Sequence, residues 1–333
     1  MSFASLRETS ISDLRGVSLV DSNAINRYHG VAHIHLSNQT SMEELVFPKL
    51  ITIAYSKSIL KACHSAIATD EEEVKFDLSK SQFISPFGIT ILAGTISDCL
   101  LKEKKVWYTR PKHRPTRNFL TRIGFDDFFH LKKELTEIRE SNIQLRKLVA
   151  LDPSYTDQII SAFSRSLRMS EGVKGLLKLS LNETMSNAFE FAQSHKGCYV
   201  CAQVYPNAKR IRVCITDFGI GIRQSLMSSP KYRHLHDSFE AITLASKDGV
   251  TSRATGVGGK GLPTLLQFLG ANRGRMVIVS GDGKVAWDFQ KSKEPKRQGM
   301  SAEFGGTIVS MRIRTDARGA YIMKGESVVE DVF

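Results

Sequence analysis

Apolar positions along this chain follow two periods, and the switching between them sets the expected architecture. EEEVKFDLS reads as a strand over residues 74–78. The next stretch, SQFISPFGITILAGTISDCLLKEKK, changes to helical spacing at Ile89, Leu92, Ala93, Ile96 and Leu100. Pro86 opens that helix at a first-turn position where the missing N–H costs nothing. KKVWYTRP supplies another strand, and RPTRNFLTRIGFDDFF a short helix ending at Gly124. Upstream, VAHIHL is a candidate strand and residues 42–66 are mostly helical in character. Strands alternating with helices imply an α/β domain.

The charged segment LKKELTEIRESNIQLRKL leads into a second unit. With 333 residues, about two domains are expected, here residues 1–135 and 136–333. The second begins with helices near 153–167 and 172–193. KGCYVCAQVYP and KRIRVCITD then alternate as strands, with Val200, Ala202 and Val204 sharing one face, as do Ile211, Val213 and Ile215. Between Phe218 and Gly259 one good helix stands out, around 238–245. A helix from about Gly261 to Leu269 follows, and RMVIVSG, KVAWDFQ and GGTIVSMRI are three closing strands.

Composition narrows the class. Hydrophobic residues make up 41% and charged residues 24%, ordinary for a soluble globular protein. No apolar run reaches the roughly 18 residues that span a bilayer, and MSFASLRETSISDLRG lacks the apolar core of a secretory signal. The expectation is a cytoplasmic protein without a membrane partner. Five cysteines, an odd count, suit a reducing compartment. Cys198 and Cys201 in CYVC could suggest a metal site, but residues three apart on a strand point to opposite faces. No second pair follows at zinc-ribbon spacing, so a structural role is expected.

The net charge of +12 is compatible with nucleic acid, an acidic protein partner or an anionic ligand. Basic residues gather in RPKHRPTRNFLTR and KSKEPKRQ, which read first as solvated faces. No zinc-finger, RNA-recognition or helix-turn-helix signature accompanies them, so nucleic acid stays a minority reading.

Three motifs carry candidate chemistry. In LNETMSNAFEFA, Glu183 and Asn187 lie four apart, about 6 Å of helical rise and nearly one face. An amide oxygen suits a hard cation such as Mg²⁺, and a carboxylate can take a proton from an attacking water or hydroxyl. In TDFGIGI, Asp217 ends a strand just before Gly219 and Gly221. That carboxylate can accept from an exocyclic amine such as adenine's, and the glycines admit a ring without a Cβ clash. In GVTSRATGVGGKGLPTLLQFLG, the glycines Gly256, Gly258, Gly259 and Gly261, with Leu262, open a helix whose first N–H groups favour anions. Lys260 adds a point charge, so a polyphosphate is the expected ligand. A dinucleotide fingerprint would follow a strand directly, whereas a polar loop precedes Gly256. No P-loop motif occurs. Chance would place all three motifs in one chain of this length on the order of once in ten thousand.

On these residues the second half, about Ser154 to Arg314, resembles the GHKL (Bergerat) ATP-binding fold of gyrase, Hsp90, histidine kinases and MutL. Glu183 and Asn187 match its N box; Asp217, Gly219 and Gly221 its first glycine box; Gly256, Gly258, Gly261 and Leu262 its second. FGGTIVSMRI, with Gly306 and Thr307, resembles its final box. The resemblance implies an α/β sandwich with helices on one sheet face. It implies adenine binding by Asp217 and, through water, Thr307; Mg²⁺ on Asn187; and Glu183 as general base. It also implies that residues 222–259 form an ATP lid. The first half, about Val31 to Phe129, resembles a STAS-like domain through VKFDLSKSQFISPFGITILAGTI, VWYTRP and FLTRIGFDDFF. STAS domains partner anti-sigma-factor serine kinases of the GHKL class, which implies a protein partner or self-association through this half. Pro86 stands where the antagonist proteins carry their phosphorylatable serine, so that position has no hydroxyl to modify.

The leading expectation is an Mg-ATP-binding regulatory protein that hydrolyses ATP to switch domain or partner contacts. A protein serine kinase of the anti-sigma type and a non-hydrolysing nucleotide sensor are the alternatives. A sensor histidine kinase is disfavoured, because neither His64 nor His113 lies in a phosphoacceptor setting.

Overall fold

The structure, a computed structural model, describes residues 17–20, 42–129, 143–192, 197–253, 258–316 and 319–322. VAHIHL and residues 131–142 of the charged segment lie outside these. In chain order the elements are β1 (Val17–Val20), β2 (Met42–Val46), β3 (Leu50–Ile51), α1 (Ser56–Ala68), β4 (Glu73–Asp77), β5 (Phe83–Ile84), α2 (Pro86–Leu101), β6 (Lys105–Thr109) and α3 (Arg114–Arg122). They continue as β7 (Arg146–Leu148), α4 (Pro153–Ser164), α5 (Glu171–Glu190), β8 (Cys198–Tyr205), β9 (Arg210–Asp217), α6 (Gly221–Met227), α7 (Ser238–Ala245), α8 (Gly261–Asn272), β10 (Arg275–Asp288) and β11 (Lys296–Arg314).

The fold is mixed α/β. A four-stranded sheet runs β1-β6-β4-β2, with β2, β4 and β6 parallel and β1 antiparallel at the edge. A five-stranded antiparallel sheet runs β10-β11-β9-β8-β7. The segment expected to be mostly helical from residue 42 instead begins with two strands. MEELV buries Leu45 and pairs in parallel with β4, so sheet pairing decides its conformation; the helix starts only at Ser56.

The second sheet is covered on both faces. Val200, Ala202, Ile211, Val213 and Ile215 point into a core shared with α4, α5 and α8. Their alternates Tyr199, Cys201 and Cys214 point the other way, into a core that continues through α1 and α2 to the first sheet. The expectation of helices on a single face is therefore exceeded. The helix that fills the other face is α2, which meets β8, β9 and β6. Its sequence is apolar nearly all round, and a helix of that kind has to be buried on all sides. At Gly94 no side chain fits, because a Cβ there would run into the ring of Phe218. That ring packs edge-on against Tyr199 and Phe304 at 5.8 and 5.4 Å. Thr90 Oγ1 lies 2.9 Å from Thr216 Oγ1 in the same buried layer.

The strand geometry explains the CYVC pair. Cys198 sits in one core and Cys201 in the other, and all five cysteines are buried thiols. Burial pushes the Cys198 and Cys201 thiols far up, away from the reactive thiolate form. Among the described residues no helix is long and apolar enough to cross a membrane.

Candidate functional site

Between α5, the end of β9 and the start of α8 lies a cleft of about 840 Å³, part of it open to solvent. It gathers residues from widely separated parts of the chain: Glu183, Asn187, Asp217, Gly221, Gly261 and Thr307 all line it.

α5 supplies one wall. Ser170 caps it, its Oγ accepting from Val173 N at 3.3 Å, and Glu171 complements the dipole in the first turn. Leu181, Met185 and Ala188 bury the inner stripe, which turns Glu183 and Asn187 together toward the cleft. Glu183 Oε1 accepts from Gly259 N at 2.7 Å and Lys260 N at 3.0 Å. Lys260, at the N-cap of α8, gives that helix no side-chain cap, so the Glu183 carboxylate takes the place of one from across the cleft. Close approach makes this contact. A Cβ on Gly261 would stand 3.1 Å from both Glu183 Cβ and Ser180 O, and Gly259 adopts φ +74 where a Cβ would run into the Val250 backbone.

Asp217 forms the floor at the end of β9, opposite Thr307 of β11. Its Oδ1 accepts from Gly219 N at 3.0 Å and Thr307 N at 3.2 Å. Only 7% of the residue is exposed. Burial pushes the carboxyl up to about 7, against the lowering pull of the Gly219 and Thr307 hydrogen bonds. Gly219 has no room for a side chain beside Ala192 O, and Gly221, at φ +77, lies against Ser280 Oγ. Ser280 in turn donates to Gly306 O at 2.9 Å and accepts from Ile222 N at 2.8 Å, which ties the turn after Asp217 to β10 and β11.

The raised carboxyl has a stability consequence. A carboxyl that holds its proton more tightly when folded adds stability below the ordinary carboxylate range, and that stability is lost as the pH rises to about 7. The stability of wild type relative to Asp217→Asn is expected to fall by about 2–3 kcal/mol between pH 5 and pH 8. Urea unfolding midpoints of the two proteins at both pH values check this; parallel pH profiles would contradict it.

Three expected site residues are placed differently. The Lys260 side chain is exposed and is not part of the cleft wall; its backbone N–H, bonded to Glu183, is what the site uses. Gly219 and Gly258 shape the backbone behind the wall rather than line it. Gly256 lies outside the described residues. Gly259 and Leu262 do line the cleft. The segment 222–259 contains α6 and a short 3-10 turn, Pro230–Tyr232, in addition to the helix the pattern gave.

Arg253 is a lining residue that the motifs passed over. Its Nε and Nη2 donate to Glu190 Oε2 at 3.0 and 2.6 Å, and its guanidinium lies 5.2 Å from the Phe191 ring centre. The signal was present as the cation inside the hydroxyl-rich run TSRATG. Among the described residues no group of three or more His, Cys, Asp or Glu is placed to hold a metal. Asn187, a neutral oxygen donor on the wall, would serve a cation that takes its other ligands from water and from a bound anion. No protein-family model matches the chain, and no curated protein matches it.

Proposed function

We propose that this chain is an Mg-ATP-binding regulatory protein, with a GHKL-type nucleotide domain following a STAS-like one, and that it hydrolyses ATP to switch its domain contacts. The observation that carries the reading is the convergence of three separate motifs on one cleft: Glu183 and Asn187 from α5, Asp217 and Gly221 at and after the end of β9, and Gly259, Gly261 and Leu262 at α8. Asp217 is the acceptor for the exocyclic amine of adenine, and Gly221, where a Cβ would meet Ser280 Oγ and Gly306 O, lets the turn after Asp217 pack against β10 and β11. The apolar wall of Ile215, Ile222, Leu262 and Val309 suits a purine face. Asn187 holds the Mg²⁺, which when bound would neutralise charge on the phosphates.

Glu183 has two tasks in turn. With the cleft as described it holds the α8 N-terminus, the position an anion favours. Once phosphates take those N–H groups, Glu183 is released to accept the proton of the water whose oxygen bonds to the γ-phosphorus as the bond from that phosphorus to the β–γ bridging oxygen breaks and ADP leaves with that oxygen. The regulatory part of the reading rests on α2. It touches both chain neighbours of Asp217, Thr216 through Thr90 and Phe218 through Gly94, so a shift of α2 is transmitted to the purine floor.

The fate of labelled γ-phosphate with Mg²⁺ tests this. Free phosphate is the expected product. Label retained on protein would favour a serine kinase, and unchanged nucleotide would favour a non-hydrolysing sensor.

A further inference from the structure

At the junction of the two sheets, on the face away from the proposed nucleotide cleft, lies a second cavity of about 580 Å³, part of it open to solvent. Three arginines line it, one from each of three adjacent strands: Arg275 of β10 pairs with Arg312 of β11, which pairs with Arg212 of β9. Neighbouring strands lie about 4.8 Å apart, and like charges placed directly opposite one another repel. The packing nonetheless holds them in a row. Arg212 stacks over Phe83 and Tyr205 at 5.5 and 5.6 Å from the ring centres. The Nε atoms of Arg275 and Arg312 are buried without a hydrogen-bond partner among the described residues.

Little negative charge answers them. Asp288 approaches Arg275 Nη1 at 3.9 Å and Arg312 Nη2 at 3.5 Å, and it does not line the cavity. Arg312 Nη2 also donates to Gln290 Oε1 at 3.1 Å. Lys284 adds a further cation nearby, its Nζ donating to Ile53 O, a residue of the cavity wall, at 3.1 Å. The opposite wall is the start of α2, with Ser85, Pro86 and Phe87. Ser85 does not cap that helix; its Oγ donates to Ile51 O at 3.2 Å instead. The positive end of a 16-residue helix thus faces the arginine row. Burial, together with the neighbouring arginines, lowers the basicity of Arg212 and Arg312, the mark of cations held close without full compensation.

The geometry points to a binding site for a phosphate-class dianion at this junction, held by Arg212, Arg275 and Arg312 against the N-terminus of α2. Guanidinium forks match phosphate oxygens in pairs, and three arginines line this one cavity. Bound there, the anion cross-links the first sheet's helix to the second sheet, so its presence sets how firmly α2 rests on β9. The source is either inorganic phosphate or the phosphoryl group of a small monoester; the chemistry recognised is the same.

Thermal unfolding of the full chain in chloride buffer at constant ionic strength tests the site, with inorganic phosphate as the first probe and glycerol 3-phosphate as the second. The wild-type midpoint is expected to rise saturably, on the order of 5 °C at a hundredfold excess over Kd. The larger shift of the two identifies the source. The double variant Arg275→Gln/Arg312→Gln is expected to lose the shift. Calorimetric titration of phosphate into wild type provides a reading independent of the variant, with one site per chain expected. No saturable shift or heat in wild type, or an undiminished shift in the variant, overturns the proposal.

Discussion

Glu183→Gln is expected to lower ATP turnover by on the order of 10²–10⁴-fold, the usual worth of a positioned general base, while nucleotide binding is retained or tightened. Two properties of the carboxylate act together. Its Oε1 occupies the N–H groups of Gly259 and Lys260, so it competes with phosphate for the helix terminus that would hold it. Its charge is also what accepts the proton from water. Glutamine keeps an oxygen for the two N–H groups, loses the charge that repels phosphate, and cannot act as the base. Parallel measurements of kcat and of equilibrium affinity for a non-hydrolysable analogue separate the effects. Equal turnover in both proteins would remove Glu183 from the chemistry.

Asn187→Ala is expected to weaken Mg²⁺-dependent nucleotide binding by roughly ten- to a hundred-fold, leaving the metal-independent part in place. Loss of one contact to a charged group costs about 1.5–3 kcal/mol, and about 1.4 kcal/mol corresponds to a factor of ten. The Asn187 backbone carbonyl accepts from both Phe191 N and Ala192 N at 3.1 Å. Those bonds survive truncation of the side chain, so the helix end that carries Phe191 is preserved. Titrations with Mg²⁺ and with EDTA check the prediction; a loss of equal size in both would mean that the side chain holds nucleotide or structure, not metal.

The site was legible because each motif is local. Four-residue spacing on α5 and glycines at close approaches leave marks in a few adjacent letters, and the cleft brings them together. The turn after Asp217 is such a case: Gly219 and Gly221 sit where the Ala192 carbonyl and Ser280 Oγ leave no room for another residue. What was not legible depends on long-range pairing. MEELV has little strand character of its own, and β4 beside it makes it one. The second buried face of the large sheet was visible only as the alternates Tyr199, Cys201 and Cys214, which read as easily as an ordinary mixed surface; α2 is what buries them. The arginine row is spread over residues 212, 275 and 312, so no window of sequence contains it, whereas the basic clusters that stood out do not line either cavity. Arg253 reaches the cleft through its contacts with Glu190 and Phe191, more than sixty residues away, so no local motif marks it.

The most direct test of the proposed nucleotide cleft is a crystal structure of the full chain with Mg²⁺ and a non-hydrolysable ATP analogue. The account predicts the adenine amine within hydrogen-bond distance of Asp217, Mg²⁺ on Asn187 Oδ1, and phosphates at the N–H groups of Gly259 and Lys260 with Glu183 turned away. Nucleotide bound elsewhere, with Glu183 still seated on α8 and the floor at Asp217 empty, would contradict it.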